Sequence, residues 1–138
     1  MAVHGGALRL RTPGNTHFVD LTEGVERVVG SSDVQHGVVT VFAVGSTVAV
    51  TTMEYEPGGV ADLRTLLERL VPVAGAYEHN RRNHDTNAHA HLRAALIGPS
   101  ESIPVHDGRL ALGTWQQVVL LDFDDRPRDR TVLVDVLS

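Results

Sequence analysis

Apolar and polar residues alternate in the first part of the chain in a way that predicts two short strands. Residues Ala7–Thr12, "ALRLRT", place apolar side chains at every second position, which is typical of a strand with one buried face. A turn signal at Pro13-Gly14-Asn15 separates this segment from "HFVDLT" at residues 17–22. Together the two segments predict a β-hairpin.

Longer segments in the middle and at the end of the chain are almost wholly apolar and predict buried strands. Gly37–Val44 is rich in β-branched residues, and Thr47–Glu56 has a similar strand-like composition. Residues 102–124 predict two or three strands joined by a hairpin turn at Asp107-Gly108. The segment "TVLVDVL" at residues 131–137 predicts the last strand.

Helical spacing of apolar residues appears in three segments. A short pattern predicts a helix at residues 22–32, and leucines recurring every three or four residues predict a second one between Val60 and Leu70. Asn87 is a good N-cap for a third helix at Ala88–Ile97. Runs of strands with two or three inserted helices predict a compact α+β fold on a largely antiparallel sheet, with residues 1–138 as one domain.

Composition narrows the classes of function. The formal net charge of −5 argues against a general binder of nucleic acid or of anionic membranes, because such proteins usually present a basic surface. The chain has no cysteine, which excludes thiolate metal sites and a cysteine nucleophile. Its first residues lack the apolar segment of a signal peptide, and no apolar run is long enough to span a bilayer. We therefore expect a cytoplasmic protein.

A tract rich in histidine is the most distinctive feature. Residues 79–91, "HNRRNHDTNAHAH", hold four of the eight histidines. His89 and His91 would share a face on a strand, but on the predicted helix they diverge by about 200°. The sequence leaves three interpretations open: a metal site, an anion site at the start of the helix, or a solvated loop with one buried histidine.

Other segments carry weaker chemical signals. Gly45-Ser46-Thr47 interrupts two strands and leaves either a β-bulge or a place where a ligand approaches the backbone. On the predicted strand, Thr52, Glu54 and Glu56 share one face, and Glu54 is a candidate general base or metal ligand. The turn "DRPRDR" at residues 125–130 is either solvated or a phosphate clamp, because the arginine fork suits phosphate oxygens.

The single tryptophan, Trp115, has two interpretations. A residue of this size packs either in the core or at a subunit contact, since aromatic side chains dominate burial energetics. The neighbouring Gln116 and Gln117 point to opposite faces of a strand, so one of them needs an internal partner.

Four segments together resemble one family. They are "GVVTVFAVGSTVAVTTMEYEPG", "YEHNRRNHDTNAHAHLRAALIGPS", "IPVHDGRLALGTWQQVVLLDFD" and "RPRDRTVLVDV", in the expected order from residue 37 onward. They resemble the YjbQ-type family, whose members are described as secondary thiamine-phosphate synthases. The resemblance implies a compact α+β domain that forms a homotrimer. The chain departs from the family where Gly45-Ser46-Thr47 replaces a His-Thr-Thr segment and where Met53-Glu54 replaces an Asn-Glu pair.

The density of imidazoles in the tract, together with Glu54, predicts a site that binds a divalent metal, zinc first, or a phosphorylated small molecule. The candidate residues fall into three groups: metal ligands His79, His89 and His91; catalytic residues Glu54, Asp85 and His91; and ligand-binding residues Ser46, Thr47, Asn87, Gln116, Arg128 and Arg130. The implied reaction joins a pyrimidine diphosphate to a thiazole phosphate, with pyrophosphate leaving. Because Gly45 replaces the family histidine, a non-catalytic trimer that binds a metal or a metabolite is the alternative, and a purely structural trimer is the third.

Overall fold

The computed structural model describes residues 1–138 and contains eight strands and four helices. In chain order they are β1 Val3–Thr12, β2 His17–Asp20, α1 Thr22–Ser32, β3 His36–Val44, β4 Val48–Met53, α2 Pro57–Leu70, α3 Glu78–Asn83, α4 Ala88–Ile97, β5 Ser100–His106, β6 Arg109–Leu110, β7 Gln117–Asp122 and β8 Arg128–Leu137. The prediction of an α+β fold with largely antiparallel strands is confirmed. The additional helix is α3, a six-residue helix within the histidine tract.

The strands form two sheets, and the hairpin predicted for the first two strands is wrong. The larger sheet has the order β1-β8-β3-β5-β6, and the smaller has the order β2-β7-β4. β1 pairs with β8, whereas β2 pairs with β7. Gly14, Asn15 and Thr16 all have positive φ, and the amide of Asn15 donates to the carbonyl of Asp124 at 2.6 Å. These residues carry the chain from one sheet to the other, so the turn signal marks a change of sheet.

The smaller sheet is buried on both faces, which explains the apolar run in its central strand. One face packs against the larger sheet and α1 through a core made mainly of valines, among them Val25, Val41 and Val134. The other face packs against α2 and α4, whose contributions include Leu67 and Ala90. None of the four helices is long and apolar enough to cross a membrane.

The outer face of the larger sheet is apolar and open to solvent. Val38, Phe42, Val44 and Leu133 alternate with the core residues and are each 39–48% exposed. Phe42 and Leu133 lie directly opposite each other on β3 and β8. Exposed apolar side chains grouped on one sheet face are candidates for a protein–protein contact.

A buried ion pair joins the two sheets at one end. Asp122, at the end of β7, accepts from Arg130 of β8 in a bidentate geometry, with Nε at 2.7 Å and Nη2 at 2.8 Å. The hydroxyl of Thr12 on β1 also donates to this carboxylate, as does the amide of Asp124 at 3.1 Å. Asp122 is fully buried, so its charge depends on these donors.

We expect the substitution Arg130→Gln to lower the free energy of unfolding by about 3–5 kcal/mol, because it leaves a buried carboxylate without its cation. Urea denaturation of the purified protein measures this change. Arg69→Gln removes an exposed arginine from α2 and serves as the control. Equal losses for the two variants would show that the ion pair does not hold the sheets together.

Candidate functional site

Helix α4 separates the two histidines that the sequence places two residues apart. It spans Ala88–Ile97, as predicted. His89 is 3% exposed and points into the protein, whereas His91 is partly exposed. The divergence of about 200° expected for this spacing on a helix therefore places the two rings in different environments. Within one chain they do not share a metal site.

His91 instead faces His79, which lies on α3. The two ring centroids are 4.7 Å apart, and the ring planes are tilted by 47°. The Nδ1 atom of His79 lies 3.1 Å from the side-chain oxygen of Asn80, which also accepts from the backbone amide of Ala88 at 3.0 Å. Because that oxygen only accepts, this contact favours the tautomer in which Nδ1 of the His79 ring carries the hydrogen.

The His79–His91 pair fits a transition-metal ion, but a complete ligand set is absent. Two imidazoles bound to one tetrahedral zinc ion have ring centroids about 5 Å apart, given zinc–nitrogen bonds of about 2.0–2.1 Å. The separation of this pair is close to that value. No group of three or more histidine and carboxylate side chains is arranged to hold an ion. A single chain would thus supply at most two ligands to an ion here, and water or a bound molecule would have to fill the remaining positions.

His89 has a different character from the pair. Burial lowers its pKa below the ordinary value, and the positive charge of Arg93 lowers it further. Arg93 is itself buried and donates to Glu68 and to the carbonyl of Val71, both at 2.8 Å. The Nδ1 atom of His89 has no hydrogen-bond partner. His89 is therefore a neutral interior residue with an unused polar atom.

A buried carboxylate stands at the centre of the neighbouring polar groups. Asp124 accepts from the hydroxyl of Thr47 at 3.1 Å, from Nε of Arg128 at 2.8 Å and from the amide of Asp125 at 2.8 Å. The side chain of Asn87 approaches it at 3.5 Å. Burial alone would raise the pKa of Asp124, but these donors outweigh burial and hold the pKa at about 2.

These contacts unite four of the six predicted ligand-binding residues. We call the assembly the carboxylate cluster: Thr12, Thr47, Asn87, Asp122, Asp124, Arg128 and Arg130. The hydroxyl of Thr47 connects its two halves, because it donates to Asp124 and accepts from Nη2 of Arg130 at 2.8 Å. Its two aspartates and two arginines balance in charge.

Both arginines of the cluster have N–H groups that make no hydrogen bond within the chain. Arg128 uses only Nε within the chain, and 42% of its side chain is exposed. Nη1 of Arg130 makes no hydrogen bond and lies against Gly45, where an added Cβ would come within 2.9 Å of it. Gly45 has φ +147°, a conformation that favours glycine. A histidine at this position would be strained and would collide with Arg130.

Asp85 lies between the histidine tract and the turn before β8. Nη2 of Arg126 is 3.6 Å from Asp85, and the hydroxyl of the neighbouring Thr86 donates to Asp125. Ser46 is exposed beside Gly45. The start of α4, this turn and the Gly45–Thr47 segment therefore form one continuous polar region.

Glu54 and Gln116 lie far from this region. β4 ends at Met53, so the prediction that Thr52, Glu54 and Glu56 share a strand face is wrong. Glu56 caps α2 by accepting from the amides of Gly58 and Gly59, and these hydrogen bonds lower its pKa. Gln116 donates to Thr52 at 3.0 Å. Because six residues of extended chain lie between Thr47 and Glu54, these two residues are roughly 20 Å apart.

Trp115 is 74% exposed, so the prediction that it packs in the core is wrong. It lies in the loop between β6 and β7, where it borders a shallow pocket that also contains Asp20, Glu54 and Glu56. Placement at a subunit contact stays a prediction.

Asp122 and Asp124, at the centre of the cluster, are not among the site residues predicted from the sequence. Their signal is present in "LLDFDD", where Asp122 and Asp124 occupy alternate positions at the end of an apolar strand and so share one face. The largest cleft, of about 580 Å³, lies elsewhere, between α1 and the segment from Gly108 to Gln117. The residues of the carboxylate cluster therefore do not line this cleft.

Comparison with known proteins gives consistent matches over nearly the whole chain. The model of the family described as "UPF0047 protein YjbQ-like" matches residues 6–138. A UPF0047 protein of Archaeoglobus fulgidus is 43% identical over 130 residues, which cover 94% of this chain and 98% of the relative. A second, from Methanothermobacter thermautotrophicus, is 39% identical and covers 99% of this chain and 93% of the relative.

Solved structures agree with this result. A hypothetical protein from Aeropyrum pernix K1 superposes with a TM-score of 0.90 at 34% identity, covering 97% of this chain and 98% of that one. A YbjQ-like protein of unknown function from Sulfolobus solfataricus P2 superposes with a TM-score of 0.89 at 29% identity, covering 99% of both chains.

We expect Asp124 to stabilise the fold in a pH-dependent way. Its pKa of about 2 in the folded protein lies below the ordinary value of 3.8, so the stabilisation is complete above pH 3.8 and is lost as the pH falls towards 2. The loss should be about 2 kcal/mol, measured by urea denaturation across this range. Asp124→Asn should flatten the dependence, whereas Asp129→Asn, at an exposed carboxylate, should leave it unchanged. A wild-type slope in Asp124→Asn would refute this assignment.

Proposed function

The chain belongs to the YjbQ-type (UPF0047) family, and on that premise we propose that it binds a divalent metal ion together with a phosphorylated small molecule. The proposed site lies at the start of α4. The observation that carries the proposal is the facing pair of His79 and His91, one helical turn from the carboxylate cluster. The histidine pair and the carboxylate cluster together support a ligand site more strongly than either feature does by itself.

Zinc is the proposed metal, held by His79 and His91. Imidazole nitrogen is a preferred zinc ligand, and the hydrogen bond from His79 to Asn80 is the kind of contact that orients a ligating ring. With two protein ligands, the ion would keep open positions and would stabilise negative charge on phosphate oxygens. His89 is left out of this ligand set because it is buried on another face of the helix.

Directed N–H and O–H groups support the phosphate part of the proposal. The unused donors are Nη1 and Nη2 of Arg128 and Nη1 of Arg130, and the exposed Ser46 adds a hydroxyl beside Gly45. The cluster as a whole is neutral, so the phosphate would be held by hydrogen-bond geometry more than by net positive charge. Thr47 and Asn87 would act indirectly, by fixing Asp124 and the arginines.

Thiamine-phosphate synthesis is the reaction that the family resemblance proposes for this site. Negative charge develops on pyrophosphate as it leaves, and this charge must be stabilised. A cation and arginine N–H donors provide such stabilisation. Asp85 and His91 lie near the proposed site and are the candidate catalytic residues. Glu54 and Gln116 would take part only if another subunit brought them to it.

Non-catalytic binding is the second candidate function. It is favoured by Gly45, which stands where the family pattern has a histidine. Arg130 occupies the space that a side chain at this position would need. A synthase assay with the pyrimidine diphosphate and the thiazole phosphate separates the two candidates. Product formation that His91→Gln abolishes supports the enzyme; ligand binding without turnover in zinc-loaded wild type supports the binding protein.

We expect the double substitution His79→Gln and His91→Gln to remove one zinc equivalent per chain, because both proposed ligands are lost. Isothermal titration of metal-free protein with zinc measures the number of sites and their affinities. His84→Gln changes an exposed histidine of the same tract and should leave binding unchanged. Identical titrations for wild type and the double variant would exclude the pair as a zinc site.

A homotrimer is the proposed assembly, formed through the apolar outer face of the larger sheet. Val38, Phe42 and Leu133 provide the exposed surface, and Arg9 and Arg11 lie on the same face near its edge. Trp115 and its acidic neighbours would seat against this basic edge of the next copy. Such a contact joins two different surfaces and closes into a ring when the rotation allows it.

We expect light scattering to give three times the chain mass of 14.9 kDa for the wild type. Leu133→Glu should shift the protein to the monomer, because it places a charge in the centre of the apolar face. Leu66→Glu changes an equally exposed leucine on α2 and should leave the trimer intact. A wild-type monomer at micromolar concentration would refute the trimer.

A further inference from the structure

We propose a second metal site, separate from the histidine tract, formed by His36, His106 and Asp107. His36 begins β3 and His106 ends β5, and the two residues face each other in the antiparallel register. Side chains directly opposite on antiparallel strands have Cβ atoms about 4.5–5.5 Å apart, which allows both to reach one ion. The ring centroids are 6.2 Å apart, with a tilt of 52°.

The carboxylate of Asp107 is already at ligand spacing from His36. Its Oδ1 atom lies 3.6 Å from Nε2 of His36. Two ligand atoms on one tetrahedral zinc ion, with bonds of about 2.1 Å, are separated by about 3.4 Å. The two atoms are therefore spaced as neighbours around a single ion would be.

The turn that carries Asp107 is well defined. Asp107 and Gly108 have φ values of 52° and 74°, which are typical of a two-residue hairpin turn. The amide of Gly108 donates to the carbonyl of Gln35 at 3.0 Å, so the turn is tied to the residue before β3. The backbone thus holds all three side chains at the same end of the sheet.

The ring of His106 must move closer to that of His36 to complete the set. The three residues do not converge on one point as they stand. Closing the two rings to the roughly 5 Å expected for a tetrahedral ion requires a shift of about 1 Å. His36 and Asp107 are 70% and 89% exposed in their side chains, and His106 is also exposed, so rotation meets no packed neighbour. The solvated ion pair of His36 and Asp107 is the alternative.

Two imidazoles and one carboxylate suit zinc, and a bound ion would link β3 to β5. This site lies on the larger sheet, whereas the proposed tract site lies on α3 and α4. Zinc binding at one therefore does not depend on the other.

The test titrates zinc alone into metal-free protein that carries His79→Gln and His91→Gln. We expect one remaining equivalent, and we expect His36→Gln with His106→Gln to weaken it at least tenfold. Asp107→Asn, which keeps a residue that tolerates positive φ, should weaken it by a smaller factor. His4→Gln, at an exposed histidine of β1, should leave it unchanged.

Zinc affinity and stoichiometry unchanged by His36→Gln with His106→Gln would overturn this proposal. Because these variants alter exposed side chains at one end of the sheet, far-ultraviolet circular dichroism should show a native fold. Failure of the tract site would appear differently, as an unchanged titration on substituting His79 and His91. An anomalous difference peak between His36 and His106 in zinc-soaked crystals would provide direct support.

Discussion

The ion pair between Asp122 and Arg130 ties together the parts of the protein on which the candidate site depends. β7 and β8 belong to different sheets, and their ends would separate without a contact that satisfies both buried charges. Arg130 also holds Thr47, Thr47 holds Asp124, and Asp124 approaches Asn87 at the start of α4. The position of α4 is thus linked through hydrogen bonds to the ion pair that joins the two sheets.

The geometry of α4 places His89 and His91 in different environments. His89 points inward and is kept neutral by burial and by Arg93, while His91 points outward to meet His79. The same spacing on a strand would have put both rings on one face. A tract that resembles a single cluster in sequence is therefore one interior residue and one facing pair in the structure.

Local signals in the sequence predicted the positions of helices and turns better than they predicted which strands pair. α4 was predicted with its observed bounds, although Asn87 at its start makes no side-chain capping hydrogen bond, and the Asp107-Gly108 turn was predicted from its residue types. The pairing of β1 with β8 joins the two ends of the chain, and no local pattern carries that information. The wrong hairpin arose because a turn signal does not state which sheet the next strand enters.

The site could be predicted in part for the same reason. Thr47, Asn87, Arg128 and Arg130 were identified by resemblance and do meet, but their meeting point, Asp124, lies at the end of an apolar strand that looked like core. Glu54 was placed in the same site by the same resemblance, but the length of β4 separates it from Thr47. The sequence therefore identified candidate site residues more readily than it showed which of them lie close together.

The central claim is that His79 and His91 hold a metal ion beside the carboxylate cluster. The most direct measurement is the anomalous difference density of zinc-soaked crystals recorded at the zinc absorption edge. The account predicts a peak about 2.0–2.1 Å from Nε2 of His79 and from a ring nitrogen of His91. The absence of a peak between these rings at full zinc saturation would contradict it.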